Sequence, residues 1–289
     1  MLLHLIRLCG IAALIVVCII YPFLSGEYDG LAMTLSGMAQ MFGALGSVLI
    51  GPVGVVWLAH ELRDQARKKR HIQVRARGYS FALASVIASS VVAAAVSLVA
   101  FVTIGISLGL LTLAVWLYIV SRLIPGLKEL RRMESGRLNP APLYLVFIPI
   151  AVMLCQLTLA GVATEFSRNR AIASAAELIN SIEDYHARHG RYPTHLSAVH
   201  KDYKPSVVGI DKFHYAPSRD AYNLFFEQPR FLLDNIGTRE FVVYNKLDQH
   251  AMFSHTAWLL LTPEELERRQ GWYAVHSASS PHWKYFWFD

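Results

Sequence analysis

The stretch that decides the fold is residues 81–123, FALASVIASSVVAAAVSLVAFVTIGISLGLLTLAVWLYIVSRL. It has 43 residues and no Asp, Glu, Lys, Arg or His before Arg122. A single helix of this length would extend about 65 Å, roughly twice the hydrocarbon core of a bilayer. The stretch therefore predicts two antiparallel membrane spans, 80–102 and 107–124, that turn near Gly105.

Three more apolar runs are long enough to cross a membrane, namely 2–24, 31–59 and 142–162. The first could also be a secretory signal peptide. However, Phe23 stands three residues before a break after Ser25, where a signal peptidase needs a small residue, so we interpret this run as an uncleaved anchor. The sequence thus predicts an all-α transmembrane bundle of about five helices within residues 1–164.

The composition changes after this region. Residues 165–289 have fourteen basic and fifteen acidic residues and resemble an ordinary soluble domain. Two short connecting segments together carry +8, with seven basic and two acidic residues in 60–78 and five and two in 121–140, and the rest of the chain carries −2, which gives the net charge of +6. Positive charge placed between apolar runs indicates membrane orientation and not nucleic-acid binding.

The position of the basic residues predicts the topology, because loops rich in Lys and Arg stay in the cytoplasm. The loop 25–30 has no basic residue and is predicted to lie outside. The N-terminus is then cytoplasmic, and the domain 165–289 is periplasmic or otherwise extracytoplasmic, on a multi-pass protein of the cell (inner) membrane. The basic residues that carry this prediction are Arg67, Lys68, Lys69, Arg70, Arg131 and Arg132.

Two rows of small residues at four-residue spacing lie within the predicted spans. Such rows let helix backbones approach closely, so we predict that they are helix-packing faces. Pro52, next to the first row, is expected to kink its span. The rows contain Gly43, Ser47 and Gly51 in one span and Ser85, Ser89, Ala93 and Ser97 in another.

The outer domain begins with an amphipathic helix, 171–188, whose apolar residues share one stripe. This helix either continues the last span or restarts after a break at 167–170. Gly190 is placed as the glycine that ends it. Short strands and one short helix follow. We predict strands at 214–215, 221–227, 240–245 and 283–288, a helical turn at 195–199, and a helix from Thr262 to Gly271.

This segment resembles type IV pilins and type II secretion pseudopilins over about residues 165–228. The residues that carry the resemblance are the helix Ala175–Tyr185, the loop His189-Gly190-Arg191-Tyr192-Pro193 that follows it, and the strands at Tyr215 and Tyr222–Phe226. The resemblance implies an α+β fold with a long helix packed on a small antiparallel sheet.

The pilin leader site is missing. The last span begins Pro142-Leu143-Tyr144-Leu145, without the glycine–phenylalanine cleavage site and the early glutamate of pilins. The resemblance therefore implies a pilin-like domain fused to a membrane bundle and not a pilus subunit.

Nine of the twelve histidines lie in 165–289. His186 and His189 are three residues apart on the predicted helix, a spacing that can place two imidazoles on one metal ion. The alternative is that these histidines are solvated or packed. No catalytic motif and no cofactor-binding motif is present, so we predict no catalytic residue and no cofactor.

Two functions fit this sequence. The first is a membrane protein whose pilin-like outer domain binds a protein partner, in envelope assembly or secretion. The second is a membrane-embedded enzyme or small-solute transporter with its site in the bundle, which the lack of ionisable residues in the span centres disfavours. The predicted partners are the lipid bilayer and a protein outside the cytoplasm, with no nucleic acid. The sequence predicts no oligomeric state.

Overall fold

A computed structural model gives the structure of the chain. It describes residues 2–70, 78–130, 139–199, 203–218, 220–234, 238–250, 252–253, 260–261 and 274–288. The chain forms two compact units. Unit 1 contains Met1–Ile19 and Thr34–Leu159, and unit 2 contains Ile20–Met33 and Ala160–Asp289.

Unit 1 is helical, as predicted. Five helices of the described residues are long and apolar enough to cross a membrane, which fits a multi-pass membrane protein. The elements that form them are α1 (Leu2–Ile20), continued by a 3-10 turn (Tyr21–Phe23), α2 (Ala32–Leu45), α3 (Gly51–Lys68), α4 (Gly78–Thr103), α5 (Ile106–Leu130) and α6 (Ala141–Ser174). Helices α2 and α3 together form one of the five.

The long apolar stretch is divided into α4 and α5, as its length predicts. The two helices turn at Gly105, which has φ +127°, a backbone conformation that favours glycine. They pack closely, because a Cβ placed on Gly109 would lie 2.7 Å from the Cβ of Phe101. The absence of a side chain at Gly109 thus lets the start of α5 approach the end of α4.

A π-helical turn, Gly46–Ile50, joins α2 to α3 without interruption, and Pro52 follows it. Proline has no N–H to donate, and its ring crowds the carbonyl one turn earlier. A wider turn relieves that crowding, which explains its position directly before Pro52.

Helix α6 belongs to unit 1 up to Leu159 and to unit 2 from Ala160. It passes through 167–170 without a break and ends at Ser174. Helix α7 (Ala176–His189) follows at once, because the N–H of Ala175 bonds to the carbonyls of both Ala171 and Ile172. The amphipathic helix thus continues the last apolar helix, the first of the two predicted alternatives.

The sheet of unit 2 is small and antiparallel, with five strands in the order β1-β2-β3-β7-β6. The four predicted strands are present, and β6 and the separate pair β4–β5 were not predicted. The strands are β1 (His214–Pro217), β2 (Tyr222–Gln228), β3 (Arg239–Tyr244), β4 (Met252–Phe253), β5 (Leu260–Leu261), β6 (Ala274–Ser277) and β7 (Trp283–Phe288).

The core of unit 2 lies between the helices and one face of this sheet. Strand β2 alternates between buried and less buried residues, so every second side chain faces the helices. The main buried residues of this core are Ala171, Ala175, Leu178 and Ile182 from the helices and Tyr222, Leu224, Phe226, Val242, Tyr244 and Trp283 from the sheet.

Residues 20–33 were predicted as the end of one span, an outer loop and the start of the next span, and they belong to unit 2. The N–H of Gly26 bonds to the carbonyl of Ser206, and Val208 exchanges backbone bonds with Leu24 and Asp29. Phe23 is buried and stacks on Phe231 with a centroid distance of 4.6 Å. The core of unit 2 therefore includes residues separated by about two hundred positions.

The end of α7 and the helical turn that follows it are as the sequence predicts. The helical turn near 195–199 is a 3-10 turn, Leu196–Val199. Gly190 has φ +68° and ends α7 with an N–H bond of 2.8 Å to the carbonyl of His186, as predicted for a C-terminal glycine. The predicted helix from Thr262 to Gly271 lies outside the described residues.

Candidate functional site

The helix-facing side of the sheet becomes polar at one end. Gln228 pairs with Glu240 across β2 and β3, and Glu240 pairs with Trp287 across β3 and β7. Directly paired residues point to the same face. These three side chains therefore lie side by side where the apolar residues of the core end.

Glu240 is the centre of a buried network of charged groups and is only 1% exposed. Arg168 donates from Nε and Nη2 to Oε1 of Glu240, at 3.0 and 2.6 Å. Trp287 donates its indole N–H to Oε2 at 2.8 Å. Arg230 Nε lies 3.9 Å from the same oxygen. A buried carboxylate needs such partners, since an isolated one would lose its hydration without compensation.

Aromatic rings hold the two guanidinium groups. Arg168 lies over the ring of Tyr285 at 3.9 Å, and Arg230 lies over that of Trp287 at 4.8 Å. The His276 ring contacts both aromatic rings, with centroid distances of 4.9 and 4.7 Å. Cation–π contact adds to the ion pairing and fixes the orientation of both arginines.

A cavity of about 380 Å³ opens beside this network, wholly within unit 2. We call it the Glu240 cavity. Its helical side is one face of α6, its floor is the polar end of the sheet, and a turn between β6 and β7 closes a third side. The lining residues are Gly161, Thr164, Glu165, Arg168, Asn169, Asp234, Glu240, Ser277, Ala278, Ser279, Tyr285 and Trp287.

A second polar cluster lies around the loop with the Gly190-Arg191-Tyr192-Pro193 motif. Glu183 accepts from the hydroxyl of Tyr222 at 3.3 Å and from Lys246 at 2.7 Å. Burial raises the pKa of Tyr222 well above its usual range, so this phenol stays neutral. Tyr192 of the motif packs edge-on against the Tyr222 ring at 5.0 Å. The loop is thus anchored by aromatic packing on the sheet.

The two candidate metal ligands have separate partners. His186 stacks on Tyr192 and His189 stacks on Tyr185, each at 4.1 Å. Within the part of the chain that the structure describes, no three His, Cys, Asp or Glu side chains are grouped to hold a metal ion. Metal binding by this pair stays a prediction.

The first small-residue row lies along the second apolar helix. A Cβ on Gly43 would come within 2.7 Å of Val152, whereas one on Gly51 would meet ordinary contacts of 3.8 to 3.9 Å. The Ser47 hydroxyl bonds to a carbonyl of its own helix, that of Ala44. The close approaches to α6 are made by Gly43 and by Gly46 and Gly54, which the spacing did not indicate.

The second row lies on α4. Ser85 and Ser97 are buried, and Ser89 is partly buried. The carbonyl of Ser97 would lie 3.1 Å from a Cβ on Gly109, so the backbones of α4 and α5 are close at this point.

The residues that predict the topology lie at the ends of helices. Arg67, Lys69 and Arg70 are exposed at the end of α3, and the side chain of Lys68 is not described. Arg131 and Arg132 lie outside the described residues.

Three buried polar residues of unit 1 form a chain of hydrogen bonds, whereas Ser97 Oγ and Gln156 Oε1 are buried without a partner. Gln156 donates to Gln40 at 3.4 Å, Gln40 donates to Ser36 at 2.8 Å, and Ser36 donates to the carbonyl of Ile19 at 2.6 Å. The described residues of unit 1 include no buried ionisable side chain.

The sequence pattern assigned Glu240 only to the start of a predicted strand and gave Arg168 no role in a site. One signal could have shown their role. Gln228 and Glu240 occupy positions that the period-two alternation of β2 and β3 turns towards the core, where a charged residue requires a partner. The identity of that partner depends on the packing of α6 and is not contained in the local pattern.

Comparisons of the chain with family models, with curated proteins and with solved structures found no significant match.

Proposed function

We propose that this chain is a multi-pass protein of the cell membrane that presents unit 2 outside the cytoplasm as a pilin-like interaction domain for a protein partner, in envelope assembly or secretion. The observation that carries the proposal is the helix-on-sheet fold of unit 2, which begins on the last apolar helix without a linker.

The charge distribution supports the orientation. Exposed Arg67, Lys69 and Arg70 end α3, and by the positive-inside rule this end faces the cytoplasm. With five spans, the chain that follows α6 then lies on the other side. The segment 20–33, which has no basic residue, packs into unit 2 and fits the same side.

The alternative, an enzyme or transporter with its site in the bundle, needs polar groups available to a substrate between the spans. Gln40 and Gln156 are the buried amides of the described part of unit 1, and they bond to each other. This pairing favours a packing role for them, although the Oε1 atom of Gln156 is buried without a partner.

Photo-crosslinking in living cells tests the proposal. A photoreactive amino acid replaces exposed Lys212 in unit 2, with a matched probe at exposed Lys69 on α3. We expect a discrete light-dependent adduct from unit 2 that is absent from the Lys69 probe, and a reciprocal probe on the identified partner should regenerate it. A scan of exposed positions over unit 2 that gives no discrete adduct would contradict the proposal.

A further inference from the structure

We propose that the Glu240 cavity binds an uncharged, polyhydroxylated ligand, a saccharide in chemical class. The inference stands on the cavity alone and does not depend on the protein partner proposed above. It follows from the balance of charge in the cavity, from the hydrogen-bonding groups left free around it, and from its size.

The charged groups around the cavity nearly cancel. Two guanidinium groups, Arg168 and Arg230, face the carboxylates of Glu240 and Asp234, with Arg230 Nη2 3.2 Å from Asp234. The remaining charge is the exposed carboxylate of Glu165. An anion would compete with Glu240 for the arginines and meet the other two carboxylates. A cation would meet two guanidinium groups and find one free carboxylate. The charge balance therefore favours a neutral ligand.

The hydrogen-bonding groups around the cavity that have no protein partner include both donors and acceptors. In the described part of the chain, Ser277 and Tyr285 have hydroxyls without a partner, and Arg168 has an unused Nη1. Glu165 adds an acceptor at the rim. A ligand hydroxyl both donates and accepts, so a polyhydroxylated molecule matches this mixed set better than an ammonium ion or a carboxylate does.

The size of the cavity is also suitable. A volume of about 380 Å³ lies at the lower end of the range of small-molecule sites, roughly 300–1,000 Å³. Tyr285 and Trp287, with Arg168 and Arg230 over their rings, supply part of the apolar wall. A mono- or disaccharide unit is the expected size of ligand.

The experiment uses the full chain in lipid nanodiscs, because glycoside detergents carry the same chemistry as the proposed ligand. Saturation-transfer NMR is recorded with glucose, N-acetylglucosamine and maltose as neutral probes, with cadaverine as a cation and citrate as an anion. We expect transfer to at least one neutral probe and none to cadaverine or citrate. Transfer to no saccharide, or to a charged probe alone, would overturn the inference.

Ser277→Ala separates a ligand contact from a structural role. Ser277 is exposed and lines the cavity, so the melting temperature should stay the same, while saccharide affinity falls about tenfold with the loss of one hydrogen bond. Ser218→Ala, at an exposed serine of unit 2 that is not among the lining residues, is the matched control and should leave affinity unchanged. Wild-type affinity in Ser277→Ala contradicts the inference. If that variant misfolds, Tyr285→Phe is measured in its place, with the same expected loss.

Glu165→Gln tests the charge argument. It keeps an acceptor oxygen and removes the one uncompensated charge, so affinity for a neutral saccharide should change less than threefold. A tenfold loss in this variant would show that the bound group is cationic and would overturn the assignment.

Discussion

Glu240 determines whether the polar end of unit 2 is stable. Two arginines, Arg168 and Arg230, lie beside it with exposures of 11% and 8%, so they depend on its charge. Burying three ions costs desolvation energy that only their mutual attraction offsets. The network therefore adds little to net stability when intact and destabilises the fold when one partner is removed.

Glu240→Gln removes the charge and keeps the shape. We expect a loss of about 3–5 kcal/mol, because Arg168 then lies buried without its counter-charge and Arg230 keeps only Asp234. The melting temperature of the purified protein in nanodiscs measures this. The control is Glu227→Gln, which breaks the exposed pair of Glu227 with Arg239 and should cost less than about 1 kcal/mol. Equal effects of both changes would contradict this account of Glu240.

His250 makes unit 2 sensitive to acid. The residue is buried, and its Nε2 lies 3.0 Å from the carbonyl of His282. Burial lowers the pKa of His250 below its ordinary value of 6.5, although the bond to His282 acts in the opposite direction. The folded state thus prefers the neutral ring. Its stabilising contribution is present above about pH 6.5 and is lost as the pH falls below that value.

The melting temperature should therefore fall more between pH 7 and pH 5 in the wild type than in His250→Gln. The nearby ionisable groups Asp248, His282 and Lys284 are present in both proteins, so the difference between the two curves reports His250. His189→Gln changes an exposed histidine and should keep the wild-type slope. Identical slopes for the wild type and His250→Gln would exclude this role.

At the level of single residues, the sequence predicted what local geometry determines. Gly190 was predicted as a helix end because only position and residue type matter there. It could not predict that Arg168 pairs with Glu240, 72 positions away, because that contact exists only once α6 packs on the sheet.

Among the elements, the second apolar helix shows how a local irregularity changes a packing face. The four-residue spacing of Gly43, Ser47 and Gly51 assumes a regular helix. The π-turn at Gly46–Ile50 adds a residue to one turn and rotates the helix beyond it by roughly 100°. As a result Gly54 closely approaches α6, and Gly51 has only ordinary contacts.

Gly54→Ala tests this face. The new Cβ would lie 2.8 Å from a methyl group of Val146 and 3.1 Å from its backbone nitrogen, so the helices must separate. We expect a loss of about 1–3 kcal/mol, as for overpacked cores. Gly10→Ala is the control, because nothing lies within 4 Å of its new Cβ and alanine favours the helix. Melting temperatures that fall equally, or not at all, would contradict close packing at Gly54.

The strands differ in how well the sequence predicted them. The strands β2, β3 and β7 are rich in aromatic and β-branched residues and were predicted. Ala274–Ser277 of β6 has only Val275 as a strong strand former, and it is held by pairing with β7. Its strand conformation depends on a partner about ten residues away, which local propensity does not contain.

Across the whole molecule, the long apolar runs predicted the number of helices, because their length and lack of charge leave few alternatives in lipid. They did not predict that residues 20–33 join unit 2. Those residues are bound by backbone hydrogen bonds to Ser206, Val208 and Gly209, and backbone pairing leaves almost no trace in side-chain composition. A segment between the first two helices thereby completes the fold of the C-terminal domain.

The orientation can be measured on the whole protein by cysteine labelling in intact cells. Cys9, Cys18 and Cys155 are replaced by alanine, and one new cysteine is introduced as Lys212→Cys in unit 2 or Lys69→Cys at the end of α3. Because basic loops stay in the cytoplasm, an impermeant maleimide should label Lys212→Cys in intact cells and Lys69→Cys only after permeabilisation. Both positions are exposed, so a difference in labelling reports the side of the membrane. The reverse pattern would place unit 2 in the cytoplasm and exclude a partner outside it.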